Sequence, residues 1–217
     1  MERHILVVFP HPDDEAFGVS GTLAQHAENG TPITYACLTL GEMGRNMGVP
    51  PFANRETLPL IRKKELEEAC KAIGIGDLRL LGYRDKTVEF EDEELLADRI
   101  GEIIAEINPS LVITFYPGYS VHPDHDACGA AVIRALKRLP KDKRPTVHCV
   151  AFSKNCEQDL GKPDVIRDVS AVIDKKLAAI QAHRSQTEGL MKAAAKRGGD
   201  ALEWLKTERF WTYKWED

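Results

Sequence analysis

The chain lacks the long hydrophobic runs and the leader features that mark membrane and secreted proteins. No apolar stretch approaches the roughly 20 residues that a membrane-spanning helix needs, so we expect no membrane partner. Residues 1–4 are followed at once by the apolar segment 5–9, without the cationic stretch, longer apolar run and small-residue cleavage site of a secretory signal. The sequence therefore predicts a cytoplasmic protein.

Concentrated positive charge and paired cysteines are also missing. The formal net charge is −5 and the 29 basic residues are scattered, which predicts no nucleic-acid partner. Five cysteines without a Cys-x-x-Cys pair favour reduced, mostly buried thiols over a disulfide framework or a thiolate metal site. A hydrophobic content of 43% in 217 residues is enough for an ordinary core, and we expect one domain over 1–217.

Apolar segments rich in β-branched residues alternate with segments of helical period. The predicted strands cover 5–9, 33–40, 78–81, 111–115 and 147–152. The predicted helices cover 16–29, 56–73, 92–107, 126–138 and 171–195, the last as one long helix or two. This alternation predicts a Rossmann-like α/β fold, with a mainly parallel sheet in the order 3-2-1-4-5 and helices on both faces.

Three stretches stand outside this alternation. Residues 41–55 and 153–168 are predicted to be long loops after the second and fifth strands, and long loops inside a compact domain are often functional. The aromatic C-terminal tail is expected to pack on the body of the protein or on a neighbouring subunit. It comprises Trp204, Phe210, Trp211, Tyr213 and Trp215.

The tripeptide His-Pro-Asp occurs twice, at 11–13 and 122–124, each time just after a predicted strand. In open α/β sheets, ligands bind beyond the carboxyl ends of the strands, at the point where the strand order reverses. The first and fourth strands flank that point in a 3-2-1-4-5 order, so we expect the two tripeptides to face each other. One copy alone would more often be a capping or surface feature, whereas two copies at facing strand ends favour a metal site.

His11, Asp14 and His125 can supply the three protein ligands that a catalytic zinc takes while it leaves a fourth position to water. Each motif spaces its outer residues by three, so a sharp turn stiffened by Pro12 or Pro123 can direct both ends at one point. The mixed imidazole and carboxylate set suits Zn²⁺, and also Fe²⁺, Co²⁺ or Mn²⁺.

Three groups beside this set are free for the chemistry of amide hydrolysis. Asp13 is the candidate general base for the attacking water. His122 is the candidate for stabilising the oxyanion and protonating the leaving nitrogen, with Asp124 orienting and charging it through a hydrogen bond. The remaining histidines that lack a partner at a suggestive spacing are expected to be structural. They are His4, His26, His148 and His183.

The two motifs, HPDDE and HPDH, resemble those of the LmbE-like, or PIG-L, family of zinc-dependent de-N-acetylases, which act on N-acetylglucosamine linked to another group. Further segments similar to the family run along most of the chain: 39–42 (TLGE), 62–65 (RKKE), 82–85 (GYRD) and 183–186 (HRSQ). The short length and the loop at 41–48 look most like the Bacillus-type deacetylases of bacillithiol biosynthesis, whose substrate is N-acetylglucosaminyl malate.

The resemblance implies roles for particular residues. His11, Asp14 and His125 would bind zinc, Asp13 would be the base, and His122 with Asp124 the electrostatic partner and acid. Arg62 and Asp85 match positions that hydrogen-bond sugar hydroxyls. Glu42 lies in a family segment, and Arg45 and Arg84 are the cations available to a malyl group. Tyr119, grouped with the substrate-binding residues, stands one residue before a position, here Ser120, that holds a mobile Tyr in some relatives. Relatives of this size form homo-oligomers, trimers or hexamers.

Other functions stay open at this point. Adjacent acids after a first strand also mark magnesium-dependent phosphoryl-acceptor domains, but those do not require His11, His122 or His125, and 217 residues is long for one. Asp13 to Glu15 alone could be a helix N-cap with acids in the first turn. A non-catalytic metal- or sugar-binding module would have no use for Asp13 beside an open metal position. A general amino-sugar or chitooligosaccharide deacetylase would need no partner for an anionic aglycone.

Overall fold

Seven strands and eight helices make up the regular structure of this computed structural model, which describes residues 1–197 and 199–215, with the backbone alone at 197 and 199–201. The strands are β1 (Ile5–Phe9), β2 (Ile33–Cys37), β3 (Asp77–Leu80), β4 (Leu111–Phe115), β5 (Thr146–Val150), β6 (Val165–Asp168) and β7 (Thr207–Thr212). The helices are α1 (Asp14–Gly18), α2 (Ser20–Glu28), α3 (Leu58–Ile73), α4 (Glu93–Ile107), α5 (Pro123–Lys137), α6 (Cys156–Leu160), α7 (Ile173–Ala182) and α8 (Arg184–Arg197).

All of these strands lie in one sheet, in the order β3-β2-β1-β4-β5-β7-β6. The first five are parallel, whereas β7 runs antiparallel to both β5 and β6. The predicted order 3-2-1-4-5 and the mainly parallel α/β architecture are therefore confirmed. The point where the strand order reverses lies between β1 and β4.

β1 shows why helices must cover both faces of the sheet. Its five side chains are fully buried and alternate between two cores. Ile5, Val7 and Phe9 pack with α2, α3 and α7, whereas Leu6 and Val8 pack with α4 and α5. A continuous apolar strand is the sequence signature of an inner parallel strand buried on both sides.

The prediction of a structureless loop over 153–168 is wrong, because α6 and β6 lie within it. β6 is mostly exposed at the edge of the sheet, so its sequence VIRD carries no buried apolar run. The aromatic tail packs on the body, as expected, but as the strand β7, in which Phe210 and Trp211 are buried.

β7 is tied to the opposite end of the chain by a buried carboxylate. Glu208 accepts hydrogen bonds from the backbone N–H groups of Gly21 (2.8 Å) and Thr22 (2.7 Å) at the start of α2. It also pairs with Lys176 of α7, and both side chains are 1% exposed. A buried charge of this kind needs such partners to offset its desolvation.

Three predicted helices differ from the structure. The helix predicted over 16–29 is divided at Val19 into α1 and α2, and the segment 171–195 is divided at His183 into α7 and α8. α5 begins at Pro123 rather than at 126, because His122 is its N-cap. All five cysteines are free and buried, as predicted. In the described part of the chain, no helix has the length and apolar character needed to cross a membrane.

Candidate active site

The first motif lies on a sharp turn between β1 and α1. Asp13 adopts φ 98°, a left-handed conformation that a residue with a side chain rarely takes, and it is the N-cap of α1. The backbone N–H of His11 donates to Asp14 Oδ2 at 2.9 Å, which closes the turn. The turn thereby brings the ends of the motif together, and its strain is of the kind often found at functional sites.

The second motif follows β4 in the neighbouring strand position. Asp126 Oδ1 accepts hydrogen bonds from the backbone N–H groups of Gly118 and Ser120, which shapes the loop ahead of the motif. Val121 then takes φ 63°, and His122 begins α5. The two His-Pro-Asp motifs face each other across the point of strand reversal, as predicted.

His11, Asp14 and His125 form a triangle of ligand atoms. The distances are 3.1 Å from His11 Nδ1 to His125 Nε2, 3.5 Å from His11 Nδ1 to Asp14 Oδ2, and 3.3 Å from His125 Nε2 to Asp14 Oδ1. Ligand bonds of about 2.0–2.1 Å in tetrahedral geometry separate neighbouring ligand atoms by about 3.3 Å. The three distances, in which each ring is measured to a different oxygen of Asp14, are therefore close to those between the ligand atoms of a zinc-sized tetrahedron.

The protonation of the two imidazoles also points to a cation. His11 Nε2 faces carboxylate oxygens of Asp124 (3.0 Å) and Asp85 (3.1 Å), so it carries the proton and Nδ1 is left with a lone pair. His125 Nδ1 lies 3.3 Å from the backbone oxygen of Ser120, which likewise leaves the lone pair on Nε2. In these tautomers two lone pairs and a carboxylate converge on one point, which is the set of donors that a divalent cation binds.

The charged groups that contact His11 are carboxylates, and all of them are negative. Burial alone would lower the pKa of His11, but the carboxylates of Asp124, Asp14 and Asp85 raise it well above its usual range. Burial would raise the pKa of Asp14, and the His125 and His11 rings hold it well below its usual range. A divalent cation at the triangle would balance this excess of negative charge, so the residues present fit a metal.

Asp124 supports His11 rather than His122, which is a correction to the sequence-based expectation. Its side chain is fully buried, and its oxygens accept hydrogen bonds from His11 Nε2, from Lys86 N (2.7 Å) and from Val88 N (3.2 Å). A carboxylate behind a metal-binding histidine fixes its tautomer and raises its basicity. The expected hydrogen bond from the His122 ring to this carboxylate is not made.

His122 is instead oriented by the backbone of its own helix. Its Nδ1 accepts a hydrogen bond from the backbone N–H of Asp124 at 3.2 Å, so the proton lies on Nε2. Burial, reinforced by the charges of His11 and His125, lowers the pKa of His122. The ring is therefore a neutral donor, 5.0 Å from the His11 ring between centroids.

Asp13 is held by Arg62. The Arg62 guanidinium donates to Asp13 Oδ2 at 3.0 Å, to the backbone oxygen of Gly41 at 2.8 Å and to that of Pro12. Burial raises the pKa of Asp13 to about 6, against the opposing charge of Arg62. A carboxyl group with a pKa near neutrality beside a metal triangle has the properties of a general base.

An open cavity of about 320 Å³ contains most of the predicted site residues. Its lining includes His11, Asp13, Asp14, Arg45, Arg62, Asp85, His122 and His125. Glu42 lies behind the lining and accepts a hydrogen bond from the backbone N–H of Asp85. Tyr119 is also outside it, because its ring packs against Tyr116 in a cluster with Trp211.

The structure adds residues that the sequence reasoning did not assign to the site. Met43, Gly44, Lys86 and Gln186 also line the cavity. Gln186 lies in the segment 183–186, whose similarity to the family was the signal that pointed to it. Arg84, considered as a partner for an anionic substrate, is exposed and does not line the cavity, and Lys86 takes that place.

A parallel α/β sheet with a two-histidine, one-aspartate metal-binding group, a raised-pKa carboxyl group and an open cavity is the arrangement of a metal-dependent hydrolase. The PIG-L family model, described as GlcNAc-PI de-N-acetylase, matches residues 6–136, and the chain belongs to this family. The description of the family model agrees with the resemblance seen in the two motifs.

Close relatives share the whole length of the chain. It is 59% identical to a protein of Bacillus cereus described as probable N-acetyl-alpha-D-glucosaminyl L-malate deacetylase 2, over 100% of both chains. A Bacillus subtilis protein of the same description is 55% identical, also over 100% of both. Among solved structures, the N,N'-diacetylchitobiose deacetylase from Pyrococcus horikoshii is 25% identical, with a TM-score of 0.73 and coverage of 98% of this chain and 84% of that one.

Proposed function

We propose that this chain hydrolyses the N-acetyl group of N-acetylglucosaminyl malate, with Zn²⁺ as its metal. The observation that carries the proposal is the triangle of His11, Asp14 and His125, which shares one cavity with Asp13. The full-length similarity to the two Bacillus proteins supports the choice of substrate.

When bound, a divalent metal acts as a Lewis acid that polarises the amide carbonyl and makes water a nucleophile near neutral pH. His11, Asp14 and His125 would hold it, with Asp124 and Asp85 fixing the tautomer of His11. Fe²⁺, Co²⁺ or Mn²⁺ would suit the same ligands.

The chain's own groups divide the proton transfers between them. Asp13, held by Arg62, takes a proton from the attacking water. His122 donates its Nε2–H toward the carbonyl oxygen as negative charge develops there, an interaction that gains strength in the transition state. The proton that Asp13 has taken from the water can then pass to the leaving nitrogen, because a neutral imidazole that lost its Nε2–H would become a strongly basic anion. His122 therefore acts as a hydrogen-bond donor to the oxyanion, and the predicted role of acid passes from it to Asp13.

The substrate preference follows from the polar rim of the cavity. Arg62 and Asp85 line its floor, where the sugar hydroxyls would meet them, and Glu42 positions Asp85. Arg45 and Lys86 are exposed and line the same cavity. Two cations at the rim suit an aglycone with two carboxylates, and each charge-assisted hydrogen bond contributes about 1.5–3 kcal/mol.

A general amino-sugar deacetylase is the second candidate, and the fold similarity to the diacetylchitobiose enzyme favours it. A neutral chitooligosaccharide has no carboxylate that could form an ion pair with Arg45 or Lys86. The homo-oligomer, a trimer or hexamer, stays a prediction from the resemblance, and the cytoplasmic location stays a prediction from the N-terminal sequence. Light scattering coupled to size-exclusion chromatography measures the first.

The test is release of free amine by zinc-loaded protein from three substrates: N-acetylglucosaminyl malate, free N-acetylglucosamine and diacetylchitobiose. We expect the malate conjugate to have a kcat/KM at least tenfold above the others. Arg45→Ala and Lys86→Ala should reduce that advantage, and Arg84→Ala, an exposed neighbour outside the cavity, is the matched control. Equal kcat/KM for the malate conjugate and the neutral sugars would contradict recognition of an anion.

A further inference from the structure

A second cavity, of about 330 Å³, adjoins the metal triangle and contains none of the rim cations of the first. It shares Asp13, Asp14 and His125 with the first cavity, but none of the other polar groups that line the first. Its remaining lining is apolar and consists of Phe17, Gly18, Phe115, Val150, Phe152 and Trp204. The two cavities therefore meet at the reacting centre and differ in chemistry.

The aromatic wall of this second cavity is built onto a metal ligand. The Phe115 ring stacks on the His125 imidazole, with centroids 4.1 Å apart and planes 10° apart. The Phe152 ring meets both rings edge-on, with centroids 5.9 Å away. Phe152 is 50% and Trp204 57% exposed. Large apolar side chains left open to solvent beside a cavity mark a surface that an apolar ligand can cover.

The geometry of an amide decides which part of the substrate enters which cavity. The nitrogen and the acyl carbon leave the carbonyl carbon in opposite directions, and the carbonyl must lie at Asp13 and the metal triangle. Sugar hydroxyls need hydrogen-bonding partners, which only the first cavity offers, in Arg62, Asp85 and Lys86. The acyl chain must then point into the second.

The second cavity is far larger than an acetyl group requires. A methyl group is about the size of a water molecule, whose share of liquid volume is about 30 Å³, whereas this cavity has about 330 Å³. We propose that it is an acyl pocket that accepts straight-chain acyl groups longer than acetyl, such as butanoyl and hexanoyl, on the same amino sugar. This inference rests on the proposed function, because it concerns the same hydrolysis.

The reaction is unchanged apart from the length of the chain. Water adds to the amide carbonyl, the C–N bond breaks, the carbonyl carbon keeps the water oxygen as a carboxylate, and the nitrogen takes both protons of the water and leaves as an ammonium group. A buried methylene contributes about 0.8 kcal/mol, which is about fourfold in kcat/KM. We therefore expect kcat/KM for the N-butanoyl substrate to exceed that for the N-acetyl substrate by about tenfold.

Gly18 offers a way to fill the pocket. A Cβ atom at this position would meet only the Val150 methyl groups, at 3.9 and 4.0 Å, so a larger side chain has room to project into the cavity. Gly18→Leu should lower the ratio of butanoyl to acetyl kcat/KM at least tenfold. Gly101→Leu is the matched control, because no atom lies within 4 Å of a Cβ there and the residue is remote from the cavity, on α4.

Binding of the free carboxylates provides a readout that does not depend on turnover. Acetate, butanoate and hexanoate should raise the thermal midpoint of the wild-type protein in that order, because a ligand that binds only the folded state stabilises it. The order should disappear in Gly18→Leu and persist in Gly101→Leu.

The possible outcomes separate the two hypotheses. Hydrolysis of the N-acetyl substrate with kcat/KM falling steadily from acetyl to hexanoyl, in a wild-type protein that binds hexanoate no better than acetate, would overturn the acyl pocket and leave the proposed function. No hydrolysis of any amide, with hexanoate bound more tightly than acetate, would contradict the proposed function and support the pocket. If Gly18→Leu does not fold, the wild-type chain-length series and the carboxylate series still decide.

Discussion

His183 Nε2 lies 2.6 Å from Glu15 Oε1, and neither side chain is exposed to solvent. The second oxygen of Glu15 accepts hydrogen bonds from the Tyr35 hydroxyl and from the backbone N–H of Asp13. The junction between α7 and α8 is thus connected, through one carboxylate, to the turn that carries the metal ligands. His183 is structural, as expected from the sequence, but it acts on the site by holding this turn.

Stability should depend on pH through this pair. Burial alone would lower the pKa of His183, but the Glu15 carboxylate raises it above its usual value of 6.5. The contribution of the pair is therefore complete below pH 6.5 and is lost as the pH rises through the folded-state pKa. We expect His183→Gln to lower the free energy of unfolding by about 3–5 kcal/mol at pH 6, with a smaller difference at pH 9.

Urea unfolding at a series of pH values measures this difference. His26→Gln is the control, because burial lowers the pKa of His26, so a charged His26 contributes no stability that would be lost as the pH rises. A wild-type minus His183→Gln difference that stayed constant from pH 6 to pH 9 would contradict a charged His183.

The metal ligands predict about one tightly bound divalent ion per chain, because His11, Asp14 and His125 form one three-ligand site. His11→Ala and His125→Ala should each lose the bound divalent ion, because three converging atoms are reduced to two. Elemental analysis of purified protein measures the metal, and His26→Ala is the control. A chelator should abolish activity while the circular dichroism spectrum of the fold is kept, since most of the buried core lies away from the site.

Asp13 and Asp14 are adjacent but should behave differently. Asp13→Asn should keep the metal and lower kcat by roughly 10²–10⁴, because an amide cannot accept the proton from water. Asp14→Asn should weaken metal binding instead, and the exposed Asp142→Asn should do neither. Near-normal turnover by Asp13→Asn would remove the general base from this position.

Gly129 is required where α5 crosses the end of β4. A Cβ atom there would lie 2.4 Å from the backbone oxygen of Phe115, which cannot move without shifting the strand. We expect Gly129→Ala to destabilise the protein by about 1–3 kcal/mol and to weaken metal binding by displacing His125. Gly101→Ala, in the interior of α4 with open space around it, should instead stabilise by about 0.5–1 kcal/mol. Thermal unfolding and metal titration of the pair check both expectations.

The sequence predicts those elements of the fold that leave a pattern in their own residues. β1, β2 and β4 are fully buried strands rich in apolar residues, and this signal predicted them; β3 and β5 are less buried but keep enough apolar residues to be recognised. Both metal motifs were placed by their position after β1 and β4. β6 was missed because an exposed edge strand has no such run. β7 was not predicted as a strand because its place in the sheet depends on partners such as Gly21, which is 187 residues away from Glu208.

Within the site, residue types were easier to predict than their partners. Asp124 was expected to serve His122, two residues away, but it is bound by Lys86 and His11, and their positions follow from the whole sheet. Tyr119 was grouped with the substrate-binding residues from its sequence position, yet its ring packs beside Tyr116. A spacing within one motif constrains the ends of that motif, whereas a hydrogen bond between motifs depends on tertiary structure.

The position of β7 between β5 and β6 also sets the order of events during synthesis. Glu208 supplies the acceptors for two N–H groups at the start of α2 and the carboxylate partner of the buried Lys176. These groups therefore have no partner until Glu208 is made, almost 190 positions after Gly21. A ribosome adds about 5–20 residues per second, so β7, which begins 57 residues after β5 ends (207 − 150), follows it by roughly 3–11 seconds. During that interval β5 presents an unpaired edge, which makes this chain a candidate client for chaperones that shield exposed strands.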